Sequence, residues 1–341
     1  MSYLDSSKTE AIVTPPWRNI DLIKGALIAF VFLGHYISGS LDDNIVRYLI
    51  YYFHMPLFLG ISGFLVTHSK LGKPLHGLAK TLVFRLIIPW LIASAFYIGI
   101  IIIKAYVQDG TVDVQLIIGM AVKPYYHLWY VPAYIIYIFV LKLLRCKIGI
   151  GCGILLTASG VAALASYGIY DACVADDGVI GAFFYDLRPQ FFFYFILGFV
   201  LREELQKGRI ITRPFALSGA AVLCAVGYAL LFKADVSDLA RGAIALVGNG
   251  STIALLARLS VLEKLPENKV VEQIGQNSLF IYLYHVPIVW LLKLMPGYGT
   301  LPVYCIGFFI WCAITVVVNE YTPKRRLSKR LARWSGLSPK R

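Results

Sequence analysis

The sequence predicts an all-α integral membrane protein: a bundle of about ten transmembrane helices with both termini in the cytoplasm. Three observations carry this expectation. First, the 341-residue chain is 58% hydrophobic and only 15% charged, with a mean hydropathy of +0.70. Soluble domains hold roughly 45–50% apolar and about 25% charged residues. Second, ten apolar stretches are long enough, or nearly so, to span: 20–40, 45–66, 83–103, 128–144, 148–168, 190–201, 214–232, 241–261, 278–295 and 301–319. Third, threading these stretches through a bilayer puts 25 of the 32 Lys and Arg residues on the side of the termini and seven on the other. That asymmetry places the basic side in the cytoplasm. The net charge of +13 is thereby read as topology and attraction to anionic membrane lipid, and no nucleic-acid partner is expected.

Along the chain, residues 1–17 read as a polar cytoplasmic tail ending in Thr-Pro-Pro-Trp, with Trp17 an interfacial anchor. The first apolar run carries Asp21 and Lys24 and lacks a small-residue cleavage pattern, so a retained span is expected rather than a signal peptide. Residues 67–82 read as a basic cytoplasmic loop, and about 169–189 as the longest external loop, acidic through Asp171, Asp176, Asp177 and Asp186. The sixth span is the weakest, because FFFYFILGFVL is short and leans on Arg188–Gln190 for length. After Pro323, KRRLSKRLARW spaces its bases beside an apolar stripe, as a helix lying on the inner leaflet would. The expected division is therefore a tail (1–17), one membrane domain (18–320) and a basic cytoplasmic tail (321–341). The six cysteines show no paired ligand spacing, so neither a metal site nor a disulfide framework is expected.

Ionisable groups inside a span are costly and mark function. On the first span Lys24 and His35 are eleven residues apart, which at about 100° per residue puts both on one face and roughly 16 Å apart along the axis. With Lys24 at one interface, His35 is expected near mid-membrane. Arg18, Asp21 and Lys24 follow at i, i+3 spacing at the inner mouth, where snorkelling cations alone would also fit. On the second span, YYFHMPLFLGISGFL carries His54 roughly 13 Å from the outer end. Pro56 frees a backbone carbonyl beside it, while Gly60, Ser62 and Gly63 permit close helix contact. Arg85 in FRLIIPW is by itself a topology determinant, but near Arg18 and Lys24 it would complete a cluster suited to phosphates. NSLFIYLYHVPIVW carries His285 beside Pro287. One packed histidine is ordinary; three at mid-depth are harder to ascribe to packing. His127, among the aromatics of YYHLWYVPAY, is expected at the outer mouth in an interfacial belt.

Lys24, ten residues, then His35 in a Gly-His pair, followed by FHMPLFLGISGFL, resembles the acyltransferase-3 family. The branch it looks most like is that of fucose 4-O-acetylase-like sugar and exopolysaccharide O-acetylases. LWYVPAY, FYFILGFVL and SLFIYLYHVPI extend the likeness over nearly the whole chain. The resemblance implies a multi-pass enzyme of a bacterial-type cell membrane that transfers an acyl group, usually acetyl, from cytoplasmic acetyl-CoA to a sugar hydroxyl of a polysaccharide or lipid-linked precursor. Catalytic roles then fall to His35, His54 and His285, and donor binding to Arg18, Asp21, Lys24 and Arg85. Two departures stand out: a lysine at 24, where the family often has arginine, and the absence from these residues of the SGNH-type domain some members carry. The rival reading is a transporter or flippase of polyprenyl-linked glycans, which would spread charges through the core; here they stay at the mouths.

Overall fold

The computed structural model describes residues 19–111, 127–174, 178–208, 214–261, 265–321 and 334–336. The described residues are helical, with no strand among them. In order they form α1 (Asn19–Tyr36), α2 (Ile45–Phe64), α3 (His68–Gly72), α4 (Leu75–Leu82), α5 (Ile88–Asp109), α6 (Tyr130–Lys142), α7 (Cys152–Val174), α8 (Val179–Leu187), α9 (Phe192–Gln206), α10 (Pro214–Leu230), α11 (Asp238–Leu259), α12 (Lys269–Gln276), α13 (Ser278–Leu292) and α14 (Leu301–Tyr321). A π-helical turn, Val83–Ile87, joins α4 to α5, and a second, Leu143–Ile148, extends α6.

Each of the ten apolar stretches lies on one of these helices. Five are long and apolar enough to cross a membrane: Asn19–Tyr36, Ile45–Phe64, Leu75–Gln108, Cys152–Tyr170 and Asp238–Leu259. Only 17% of the most apolar 18-residue stretch within Leu75–Gln108 is buried, and exposed Phe309, Leu223 and Leu230 stud other helices, as lipid-facing surfaces require.

Local chemistry sets the helix ends. Asn44 begins α2 by accepting from the backbone N–H groups of Val46 and Arg47 at 2.9 and 3.1 Å, and Asn268 does the same for α12. Gly110 and Gly149 end their helices in the left-handed conformation. The bundle is built around α2, which packs on α1, α9 and α11. Its tightest contact is with α9, where a Cβ on Gly63 would strike the Phe195 carbonyl and one on Gly198 the Gly60 carbonyl. Helices that meet without a water-driven hydrophobic force need such close backbone approach. α12, α13 and α14 cover the other side of α1.

Three expectations change. The 67–82 loop holds two short helices, α3 and α4. The 169–189 loop is taken up largely by the end of α7 and by α8. The sixth span gains its length at the other end: α9 begins after Pro189 and runs on through Arg202 and Glu203. It can do so because both charges are buried and partnered. Arg202 donates to the Phe64 carbonyl at 3.0 Å, while Glu203 accepts from Arg145 at 3.1 Å and pairs with His68 at 2.5 Å. Lys142, also buried, donates to the Lys73 carbonyl at 2.7 Å. These cations, counted above as topology signals, fasten the 64–73 segment onto the bundle. The N-terminal tail and the surface helix expected after Pro323 lie outside the described residues, apart from 334–336.

Candidate active site

The site grows from two prolines. A proline has no N–H, so the carbonyl four residues earlier loses its helical donor and must find another in a medium without water. In α2, Pro56 frees the Tyr52 carbonyl, and fully buried Asn249 of α11 donates to it at 2.9 Å. In α13, Pro287 frees the Leu283 carbonyl, which accepts from the Tyr97 hydroxyl of α5 at 2.9 Å and from His127 Nε2 at 3.4 Å. The proline beside His285 therefore also positions a second histidine. In the first turn of α6, where Pro132 sits, the Leu128 carbonyl accepts from Trp90 Nε1 at 3.0 Å.

Around these anchors the histidines gather. The His35 ring centre lies 4.8 Å from that of His285 and 5.9 Å from that of His127, and His127 and His285 are 4.9 Å apart. His54 joins through Tyr51, whose ring is 4.9 Å from His54 and 6.2 Å from His35. Gly34 makes room for this: a Cβ there would sit 3.3 Å from the Tyr51 ring edge. His54 Nδ1 donates to the Ile50 carbonyl at 2.6 Å, and His285 Nδ1 to the Tyr282 carbonyl at 2.8 Å. A carbonyl only accepts, so Nδ1 carries the hydrogen in both, and Nε2 of a neutral ring holds the lone pair. His285 Nε2 is buried with no protein partner among the described residues. His54, His127 and His285 are buried, whereas His35 keeps partial exposure. Imidazoles gathered this closely form an arrangement able to take up, orient and pass a proton.

The structure thus brings together the three histidines singled out from sequence and adds His127, which is buried in the cluster instead of lying in an interfacial belt. His35 sits in the last turn of α1, not at its midpoint. It meets rings from the middles of α2 and α13 because the bundle wraps around that helix end.

Lys24 and Asp21 form an ion pair at 2.7 Å, both half-buried, where α12 lies across the start of α1. Arg85 is exposed on the π-helical turn, near enough to Lys70 and Tyr134 for its charge to be felt there. Arg18 lies outside the described residues. In the sequence Lys70 is one cation of an ordinary-looking basic loop, with no local signal to set it apart. Among the described residues no group of three His, Cys, Asp or Glu side chains could hold a metal ion.

Restoring the missing donor tests the proline argument. Pro287→Ala should return an N–H to the Leu283 carbonyl, release His127 and lower turnover about tenfold, with Tyr97→Phe giving a smaller loss. Steady-state kinetics decide, and an unchanged kcat in Pro287→Ala would show that His127 needs no such anchor.

A multi-pass helical bundle enclosing a histidine cluster is the class that fold and site define. The chain matches the model of the acyltransferase-3 family, described as an acyltransferase domain, over residues 17–320, and so belongs to that family. No curated protein and no solved structure matches it.

Proposed function

We propose that this membrane acyltransferase moves an acyl group, most simply acetyl, from cytoplasmic acyl-CoA to a sugar hydroxyl of a cell-surface polysaccharide or its lipid-linked precursor. The observation that carries the reading is the His35 ring held 4.8 Å from His285 and 5.9 Å from His127. His35 takes the proton as the sugar oxygen attacks the thioester carbon. The carbon–sulfur bond breaks, and the proton passes to the departing thiolate, so no other reactant is consumed. A neutral imidazole can instead accept the acyl group first, the CoA thiolate leaving, and then yield it to the hydroxyl. His54 and His285 orient His35 or relay its proton. At the inner mouth Arg18, Lys24 and Arg85 face the anionic end of the donor, with Asp21 fixing Lys24.

Solution NMR of surface glycan from wild-type and deletion strains tests this: one O-acetyl signal should vanish in the deletion. An identical acetylation pattern in both strains refutes it. Lys24→Ala should weaken acyl-CoA binding about tenfold or more, since a charged hydrogen bond to phosphate contributes about 1.5–3 kcal/mol. Lys24→Arg should retain much of the activity. Equal CoA affinity in Lys24→Ala would make Lys24 an interface anchor only.

The same reading has ten crossings and both termini in the cytoplasm. A single cysteine introduced near Lys73 should react only from the cytoplasmic face, and one at Asp176 only from outside. Cytoplasmic labelling at 176 would reverse the donor side.

A further inference from the structure

A row of hydroxyl groups leads from the loop after α2 to the histidine cluster. Lys70 Nζ donates to the Tyr134 hydroxyl at 2.9 Å and lies 5.4 Å from the centre of that ring. Tyr134 stacks on Tyr130, one helical turn back along α6, with ring centres 6.3 Å apart and 25° between planes. The Tyr130 hydroxyl shares a 2.5 Å hydrogen bond with Ser62 Oγ of α2. The Tyr130 N–H donates to the Tyr282 hydroxyl at 3.3 Å, and Tyr282 in turn donates to the His127 carbonyl. Tyr282 and His285 ring centres are 6.4 Å apart.

Two features make this row more than packing. Lys70, Tyr134, Tyr130 and Ser62 all keep intermediate exposure, although Phe58 of α2, Phe195 of α9 and Tyr282 of α13 pack around the two tyrosine rings. Polar side chains that retain accessible surface between packed helices line an opening, since hydroxyl groups turned to hydrocarbon would be costly. The row also has a polarity: a cation with Arg85 nearby at one end, neutral hydroxyls through the middle, imidazoles at the other.

We propose that Lys70, Tyr134, Tyr130 and Ser62 form the lane along which the thioester arm of the donor reaches the histidines, with Lys70 holding the phosphate-bearing end at its mouth. This rests on the acyl-CoA reading above and names residues for it. A pantetheine arm offers amide N–H and C=O groups at intervals, and hydroxyls that both donate and accept can match them in either sense. An ammonium at the mouth supplies a charged bond to phosphate. Burial, with the like charge of Arg85, pushes the Lys70 ammonium down to about 8, while Tyr134 is the partner facing it from α6. Protonated Lys70 binds the phosphate, so kcat/KM for the donor should fall as pH rises through about 8.

The test uses the full-length protein in lipid nanodiscs with two donors, acetyl-CoA and S-acetylpantetheine, which lacks the nucleotide and its phosphates. Lys70→Gln should raise KM for acetyl-CoA about tenfold and leave S-acetylpantetheine unaffected. Tyr134→Phe, which keeps the ring and removes the hydroxyl, should raise KM for both severalfold, with the acceptor KM unchanged throughout. Lys70→Arg should keep acetyl-CoA affinity and abolish the fall near pH 8. If the wild type turns over acetyl-CoA while Lys70→Gln and Tyr134→Phe show wild-type donor KM values, the lane is wrong and the acyl-transfer reading stands. Absence of any acetyl-CoA turnover in the wild type defeats the acyl-transfer reading itself.

Discussion

His35→Gln is expected to abolish detectable acyl transfer while expression and detergent stability stay near wild type. An amide can keep a hydrogen bond and much of the ring's volume, but it cannot take a proton. Loss of a general base costs about 10²–10⁴ in rate. Both His285 and Tyr51 pack against the His35 ring, so a change confined to its chemistry leaves the packing of α1 intact. His35→Ala should fail equally. Substantial acetylated glycan from the Gln variant would make His35 a positioning residue, and the base would then be sought at His54 or His285.

The second large effect is on stability. Glu203 is 4% exposed and holds Arg145, His68 and the Cys152 thiol at once, tying α3, α6 and α7 to α9. Removing one partner of a buried ion pair leaves the other uncompensated, typically at about 3–5 kcal/mol. Arg145 keeps some contact with solvent, so Glu203→Ala should cost about 3 kcal/mol, at the low end. It is read as a lower midpoint of thermal unfolding in detergent. Replacing both Glu203 and Arg145 by leucine should recover much of the loss, because no buried charge is then left alone. A Glu203→Ala midpoint equal to wild type would mean the cluster is solvated and structurally idle.

The contrast between these residues shows what a single sequence discloses. The ten apolar stretches and the His54–Pro56 and His285–Pro287 pairs are local patterns, and the helices follow them. That a proline frees a carbonyl is equally local. Which side chain answers is not: Asn249 is 197 residues from Tyr52, and Tyr97 is 186 from Leu283, separations that only the packed bundle closes. His127 is hidden for the same reason: its aromatic neighbours look like an interfacial belt, and the Leu283 carbonyl that its ring meets is 156 residues away. Arg202 and Glu203 read as the end of a span because burial of a charge depends on partners elsewhere in the chain. Lys70 shows no periodic signal at all; its meaning comes from Tyr134 beside it.

The most direct measurement of the central claim follows acetyl groups labelled with ¹³C at the carbonyl. Purified protein in lipid vesicles is given labelled acetyl-CoA together with surface glycan, or its lipid-linked precursor, from a deletion strain. NMR of the recovered acceptor should show a single labelled ester in the wild-type reaction and none with His35→Gln. Label appearing equally in both, or in neither while unmodified glycan crosses the vesicle membrane, would contradict acyl transfer at the histidine cluster.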